Sequence, residues 1–256
     1  MNNGRWKILV SCALAFAAGY LAPPYILGLF SKNQVEERAF SLQYSLSAFQ
    51  EVLMLGVPAL ILYLSIYGKE DLRSRMALPD SYSAGLAMLS AVSFTMAGSL
   101  LVAFWLAFLT SFGFVPSIPT FISPQTPIQY VLAFLLAALI PAVSEELLFR
   151  GVLLRLLQKA RGDRMAVYGS AFLFALLHFS LEGFPALFVI GIVLGWAAVR
   201  YQNLMLPMLF HMVYNMAAVT INASETVPSI TIMMLSTAIF TITVRVWLRG
   251  EDKERT

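Results

Sequence analysis

Long apolar runs alternate along this chain with short charged connections. The runs of membrane-spanning length extend from about Trp6 to Phe30, Ala48 to Tyr67, Ser83 to Thr110, Pro127 to Leu157, Met165 to Phe179, Phe184 to Val199, Met205 to Ile221 and Pro228 to Leu248. About 20 helical residues at 1.5 Å per residue cross a hydrocarbon core. The pattern therefore predicts an all-α membrane protein with about eight transmembrane helices, forming a single integral membrane domain over residues 1–256.

Composition supports lipid as the solvent of most of the chain. Hydrophobic residues make up 59% of the sequence and charged residues 12%, about half the charged share of an ordinary soluble domain. The net charge of +3 comes from residues between the apolar runs, not from one basic patch, so we expect no nucleic-acid partner. Cys12 is the single cysteine, which excludes an intrachain disulfide.

Basic residues predict the orientation of the chain, because Lys and Arg concentrate in cytoplasmic connections. On one side of the predicted membrane lie Arg5, Lys7, Lys69, Arg73, Arg75, Arg155, Lys159, Arg161, Arg164, Arg200, Arg245, Arg249, Lys253 and Arg255; on the other lie Lys32 and Arg38. Both termini are therefore expected in the cytoplasm, and the membrane is expected to be a bacterial or archaeal plasma membrane. The first run also fits a secretory signal, although it extends beyond the usual signal core, so its retention stays open.

Polar side chains lie inside three of the apolar runs. They are Glu145, Glu146 and Arg150 in the fourth run, His178 in the fifth, and His211 and Asn215 in the seventh. A charged side chain in a bilayer costs at least about 2.5–3.5 kcal/mol, so such residues are functional candidates. Counted inward from the basic connections, these side chains lie at similar depths, roughly 12–21 Å at helical rise.

Helical spacing separates the roles of the two adjacent glutamates. Glu146 and Arg150 are four residues apart, which favours a supporting ion pair. Glu145 points about 100° away from Glu146, so its carboxylate is free for general acid or base chemistry. His211 and Asn215 share one helical face and can present an imidazole and an amide to one substrate group or metal ion.

Other polar or aromatic positions have simpler interpretations. Glu51 follows Gln50 near the start of the second run, where an interfacial carboxylate is expected. Phe174 is interpreted as a packing residue. The intramembrane polar groups also have a purely structural alternative, as hydrogen bonds between helices, but their occurrence together in three runs favours a chemical site.

Three motifs in this region resemble those of the CAAX protease and bacteriocin-processing (CPBP or Abi) family of intramembrane proteases, which includes the type II CAAX prenyl endopeptidases. They are Glu-Glu-x-x-x-Arg from Glu145 to Arg150, Phe-x-x-x-His from Phe174 to His178, and His-x-x-x-Asn from His211 to Asn215. The resemblance covers a protease core at residues 127–222, flanked by additional helices at 1–110 and 228–248. It implies eight helices enclosing an intramembrane cavity open to the cytoplasm, with hydrolysis of a peptide bond by activated water.

The resemblance also implies roles for individual residues. Glu145 and His178 would activate the water, while His211 and Asn215 would stabilise the oxyanion, and the ion pair would support the site. In a metal-dependent version, Glu145, His178 and His211 would bind Zn²⁺; in a metal-free version the same groups act directly. Both versions stay open, although the family resemblance favours the name metalloendopeptidase.

Two other functions remain as alternatives. An ion- or proton-coupled transporter would also hold ionisable groups in the membrane, but it predicts polar residues at several depths. A non-catalytic membrane immunity or binding protein would hold a peptide without cutting it. For the protease, the expected partners are the bilayer and a peptide or protein substrate, including lipidated ones, with CAAX-type and bacteriocin-related processing both open.

Overall fold

The computed structural model describes residues 3–28, 39–116, 122–224 and 228–249, which contain helices and connections and no strand. The helices are α1 (Asn3–Gly28), α2 (Ala39–Ile66), α3 (Lys69–Arg75), α4 (Ser81–Ser111), α5 (Pro127–Leu177), α6 (Phe184–Tyr201), α7 (Met205–Ala223) and α8 (Ile230–Arg249). The predicted all-α membrane fold is confirmed.

The described helices follow the predicted apolar runs, but fewer than eight of them qualify as membrane spans. Five of them, α2, α4, α5, α6 and α8, are long and apolar enough to cross a membrane. The seventh run forms α7, whose polar residues His211, Asn215 and Asn222 reduce its hydropathy. In α1 the apolar stretch is limited to Val10–Pro23. The fourth and fifth runs both belong to α5.

Gly162 divides α5 into two arms. Its φ of 76° and ψ of 173° are not helical, and glycine adopts a positive φ without the steric cost of a Cβ atom. The chain turns back here, and Leu157 on the first arm (127–161) approaches Gly169 on the second arm (163–177). As a result, the end of the second arm returns to the level of the polar residues on the first.

The centre of the bundle is aromatic and closely packed. Phe94, Phe149, Phe210 and Trp247 are among the buried residues of one core cluster. The second arm of α5 packs against α6 so closely that a Cβ atom on Gly191 would lie 2.9 Å from Ala171. A glycine at this position therefore allows the two backbones to approach.

Several of the basic connections meet at one end of the bundle. Arg155 donates to both carboxylate oxygens of Asp71, at 2.7 and 3.1 Å, and Arg75 donates to Gln202 at 2.8 Å. The cytoplasmic placement of this end stays a prediction. Four of the basic residues used for that prediction lie outside the described residues, namely Lys32, Arg38, Lys253 and Arg255.

Candidate active site

A closed pair of charges lies in the middle of the first arm of α5. Arg150 Nη1 donates to Glu146 Oε1 at 2.9 Å, and Nη2 donates to the carbonyl oxygen of Gly191 at 3.0 Å. Both charged side chains have 0% exposure. The ion pair expected from the four-residue spacing is therefore present, and it also connects α5 to α6.

His211 extends this pair to a third helix. Its Nδ1 atom lies 2.8 Å from Glu146 Oε1. An ionised carboxylate only accepts hydrogen bonds, so Nδ1 carries the hydrogen and donates it. This contact fixes the ring and leaves Nε2 facing Glu145, whose Oε2 is 4.0 Å away.

His178 is oriented by its own helix. It caps the C-terminus of α5, and its Nδ1 lies 2.7 Å from the carbonyl oxygen of Phe174. A carbonyl can only accept, so Nδ1 is the donor and the neutral ring keeps a lone pair on Nε2. The next residue, Phe179, has a φ of 49°, and this left-handed conformation ends the helix.

Glu145 lies where the two imidazoles converge. Its Oε2 is 3.8 Å from His178 Nε2 and 4.0 Å from His211 Nε2. Oε2 is buried and has no hydrogen-bond partner among the described residues. These distances are too long for direct hydrogen bonds but suit a bridging water. The arrangement can therefore hold a water between a carboxylate oxygen and an imidazole lone pair.

Phe174 packs against Arg150 and the two imidazoles of the site. Its ring centroid is 4.7 Å from that of His178 and 5.7 Å from that of His211, and Arg150 Cζ lies 4.7 Å from it. The side chain is fully buried. Phe174 is thus a packing residue that supports the two imidazoles of the candidate site.

Asn215 stands apart from this network. It follows His211 by one turn of α7 and is half-buried. Within the described residues its amide makes no hydrogen bond, whereas His178 and His211 each have a fixed Nδ1 partner. Its proposed part in oxyanion stabilisation stays a prediction.

Glu51 is the residue that sequence reasoning missed. It was interpreted as an interfacial carboxylate at the start of a span, whereas α2 begins at Ala39, so Glu51 lies inside the helix Ala39–Ile66 and not at its start. Glu51 and Glu145 line one cavity of about 200 Å³. The sequence did contain a pattern that could have indicated this cavity, since the polar residues Gln43, Ser47 and Glu51 recur every four residues on one helical face.

Two cavities adjoin the site, and their linings differ. The polar cavity, of about 200 Å³, is lined by Gln43, Tyr44, Ser47, Glu51, Leu136, Ala137, Pro141 and Glu145. The apolar cavity, of about 540 Å³, is lined by Val52, Gly56, Val57, Leu60, Leu72, Met76, Leu139, Ile140, Val143, Ser144, Leu147 and Met208. Because Ser144 precedes Glu145, the apolar cavity begins one residue from the candidate base.

The donor set does not by itself form a metal centre. Among the residues that the structure describes, no group of three or more His, Cys, Asp or Glu side chains is arranged to hold a metal ion. The predicted Zn²⁺, with Glu145, His178 and His211 as ligands, therefore stays a prediction.

Comparison with known families agrees with the resemblance seen in the motifs. Residues 127–217 match the model of the family described as type II CAAX prenyl endopeptidase Rce1-like. Neither the curated proteins nor the solved structures gave a match. The matched segment contains all three motifs, and the predicted family resemblance is confirmed for this part of the chain.

Proposed function

We propose that this chain, which carries an Rce1-like segment at residues 127–217, is an intramembrane endopeptidase that uses Glu145 and His178 to activate water. One observation carries the proposal. Oε2 of Glu145, which has no hydrogen-bond partner in the described part of the chain, faces the Nε2 lone pair of His178 across 3.8 Å, a separation that a bridging water fits.

In the proposed reaction, Glu145 accepts a proton from the water as its oxygen forms a bond to the scissile carbonyl carbon, while His178 Nε2 accepts the second hydrogen bond of the water. The carbonyl π electrons move to oxygen, giving an oxyanion. His211 in its imidazolium form and Asn215 donate hydrogen bonds to it. Collapse breaks the C–N bond, and protonated Glu145 returns its proton to the leaving amine.

Glu146 has a positioning role in this scheme. By accepting from His211 Nδ1 at 2.8 Å, it holds Nε2 of that ring toward the site. Arg150 in turn holds the Glu146 carboxylate in place through its hydrogen bond of 2.9 Å. We therefore expect substitutions of Glu146 to lower the stability of the protein first, and the rate of cleavage second.

The metal-dependent version is a second form of the same proposal. Glu145, His178 and His211 would supply the oxygen and nitrogen ligands, and bound Zn²⁺ would lower the pKa of a coordinated water. Metal analysis of the purified protein, together with activity before and after chelation, distinguishes the two forms.

The apolar cavity supports a substrate with a lipid chain or an apolar segment. Its volume of about 540 Å³ falls in the range of small-molecule sites, and Ser144 places it beside Glu145. A CAAX-type substrate, with a prenylated cysteine near its C-terminus, would have such a chain. Bacteriocin-related processing is the competing substrate class.

A proton-coupled transporter is the second candidate function, because Gln43, Ser47 and Glu51 place polar side chains at several depths of α2, and intramembrane ionisable residues also mark ion pathways. Reconstituted vesicles carrying a pH-sensitive dye test it. Proton flux that depends on Glu51, without peptide cleavage, would favour the transporter.

Cleavage of a prenylated CAAX peptide and of its unprenylated form tests the protease proposal directly. We expect Glu145→Gln to reduce the rate at least about 100-fold while the protein remains folded. Glu70→Gln is the matched control, since Glu70 is exposed on α3. A Glu145→Gln variant that cuts at the wild-type rate refutes the proposed role, and binding without cleavage by wild type would support a non-catalytic binding protein.

A further inference from the structure

Three oxygen atoms around the polar cavity are buried without a hydrogen-bond partner among the described residues. They are Gln43 Oε1, Glu51 Oε1 and Glu145 Oε2. The Glu145 residue is only 8% exposed. Buried polar atoms in proteins nearly always have a partner, either protein or water. The three oxygens therefore call for a ligand that donates hydrogen bonds.

The cavity between these residues suits water. Its volume is about 200 Å³, and a water occupies roughly 30 Å³ of liquid volume, so several waters fit together. Ser47 adds a hydroxyl to the lining, and each water needs two to four polar partners. Both the size and the chemistry of the cavity are therefore those of a hydrated space.

The lining also argues against other occupants. It contains no Lys, Arg or His, so an anionic group, such as a peptide C-terminus, would find no cationic partner there. The apolar cavity, which Ser144 also lines, offers few hydrogen-bond partners to water, because the rest of its lining is aliphatic. The two cavities therefore divide polar from apolar occupants.

A polar stripe connects the cavity with one end of α2. Gln43, Ser47 and Glu51 lie four residues apart on the same face; Gln43 is nearest to the start of α2 at Ala39, and Glu51 is deepest. Arg155, near the far end of the first arm of α5, contacts Asp71 at the opposite end of the bundle. The stripe thus approaches Glu145 from the end opposite to the Asp71–Arg155 contact.

Hydrolysis consumes one water for each bond cut, and a site within a bilayer must obtain that water from outside. We propose that the polar cavity is the route by which water reaches Glu145, and that Glu51 is a positioning residue that holds this water in place. The inference rests on the proposed hydrolase function for its purpose, but the hydration of the cavity is testable without any cleavage assay.

Cysteine labelling tests the hydration. In a Cys12→Ala background, which removes the single native cysteine, Ser47→Cys and Gln43→Cys are reacted with a charged, water-soluble methanethiosulfonate in reconstituted vesicles. Ser45→Cys is the matched control, because Ser45 and Ser47 are both exposed but Ser45 lies on the opposite side of α2, at about 200°, and is not among the residues that line the cavity. Ser45 is also nearer the start of the helix, so depth alone would make it react faster.

We expect Ser47→Cys to react at least about tenfold faster than Ser45→Cys, because a water-filled cavity admits the reagent and lipid excludes it. If Ser47→Cys reacts no faster than the control, the cavity is not hydrated and the proposal fails.

Steady-state kinetics tests the supply of water to the reaction. Glu51→Gln and the cavity-filling Ser47→Leu should each lower kcat roughly tenfold, a loss in the range expected for a misplaced reactant, and should leave KM within about twofold. Glu51→Asp should recover part of kcat. Ser45→Leu, on the opposite face, should behave as wild type.

The outcomes separate the two proposals. If Glu145→Gln abolishes cleavage but Ser47→Leu and Glu51→Gln keep the wild-type kcat, the hydrolase function stands and the water route is refuted. If Glu51→Gln raises KM or lowers thermal stability with kcat unchanged, Glu51 is structural and the positioning role fails. If no variant at Glu145 affects cleavage, the proposed function fails, and the labelling result still decides whether the cavity holds water.

Discussion

Glu145 and Glu146 are neighbours in sequence but belong to two very different regions. Around Glu146, contacts of 2.8 to 3.0 Å link Arg150, His211 and the Gly191 carbonyl, and the two charged side chains are fully buried. Around Glu145, the imidazole nitrogens are 3.8 and 4.0 Å away and a cavity opens. A rotation of about 100° per residue thus separates a region that holds the fold from a region with room for a reaction.

The largest expected effect comes from breaking the closed region. Glu146→Ala removes the acceptor of Arg150 and of His211 Nδ1 and leaves a buried charge unpaired, which should cost about 3–5 kcal/mol. Thermal denaturation in detergent and the yield of folded protein measure the loss. Glu145→Ala is the matched control and should cost less than about 1 kcal/mol. Equal losses in the two variants would show that the regions are not distinct.

An intermediate effect is expected where α6 approaches the second arm of α5. A Cβ atom on Gly191 would lie 2.9 Å from both Cα and Cβ of Ala171, so Gly191→Ala should destabilise the protein by roughly 1–3 kcal/mol through overpacking. It would also displace the carbonyl that Arg150 contacts. Gly85→Ala is the control, because nothing lies within 4 Å of a Cβ there. Unchanged stability in Gly191→Ala would mean that α6 and the second arm of α5 can move apart without a cost in free energy.

A smaller effect is expected at the Asp71–Arg155 contact, whose aspartate lies on α3 and not on a candidate membrane span. The hydrogen bonds from Arg155 lower the pKa of Asp71, so the stabilisation is present above the unfolded pKa, about 3.9, and is lost as pH falls through the folded pKa. Asp71→Asn should cost up to about 1 kcal/mol near neutral pH, and the difference from wild type should shrink below about pH 4. Thermal denaturation across this pH range, with Glu70→Gln as control, measures it.

The smallest effect on stability is expected at Asn215. Its side chain has no hydrogen bond to lose within the described part of the chain, so Asn215→Ala should change stability by no more than about 0.5 kcal/mol. If the amide donates to the oxyanion, kcat should nevertheless fall roughly 100- to 1,000-fold. A loss of stability above 1 kcal/mol with kcat intact would assign Asn215 to the closed region.

Local spacing allowed much of the candidate site to be predicted. Glu146 and Arg150 are four residues apart, and that interval alone indicated their ion pair. The contact between Glu146 and His211 joins residues 65 apart in the chain, and helical periodicity carries no information about it. It depends on how α7 packs against α5, which only the folded structure gives.

Two features of the fold were outside the reach of hydropathy. The apolar run that predicted α2 starts at Ala48, whereas the helix starts at Ala39, because the first residues of the helix include Ser and Gln side chains that lower hydropathy without preventing helix formation. The apolar run therefore placed Glu51 near the start of a span, whereas it lies inside the helix. Gly162 lies in a basic connection, and its positive φ turns the chain back between the two predicted spans that form the arms of α5.

The left-handed residue after His178 has a consequence for engineering. Phe179 has a φ of 49° and a side chain that is 89% exposed, and such a conformation costs a bulky residue of the order of 1–2 kcal/mol. Phe179→Gly would relieve this strain, but it would also let the end of the helix sample more conformations. A gain in thermostability at this position would therefore come with a less accurately placed His178 imidazole. A search for stabilising substitutions here would favour variants with a lower kcat.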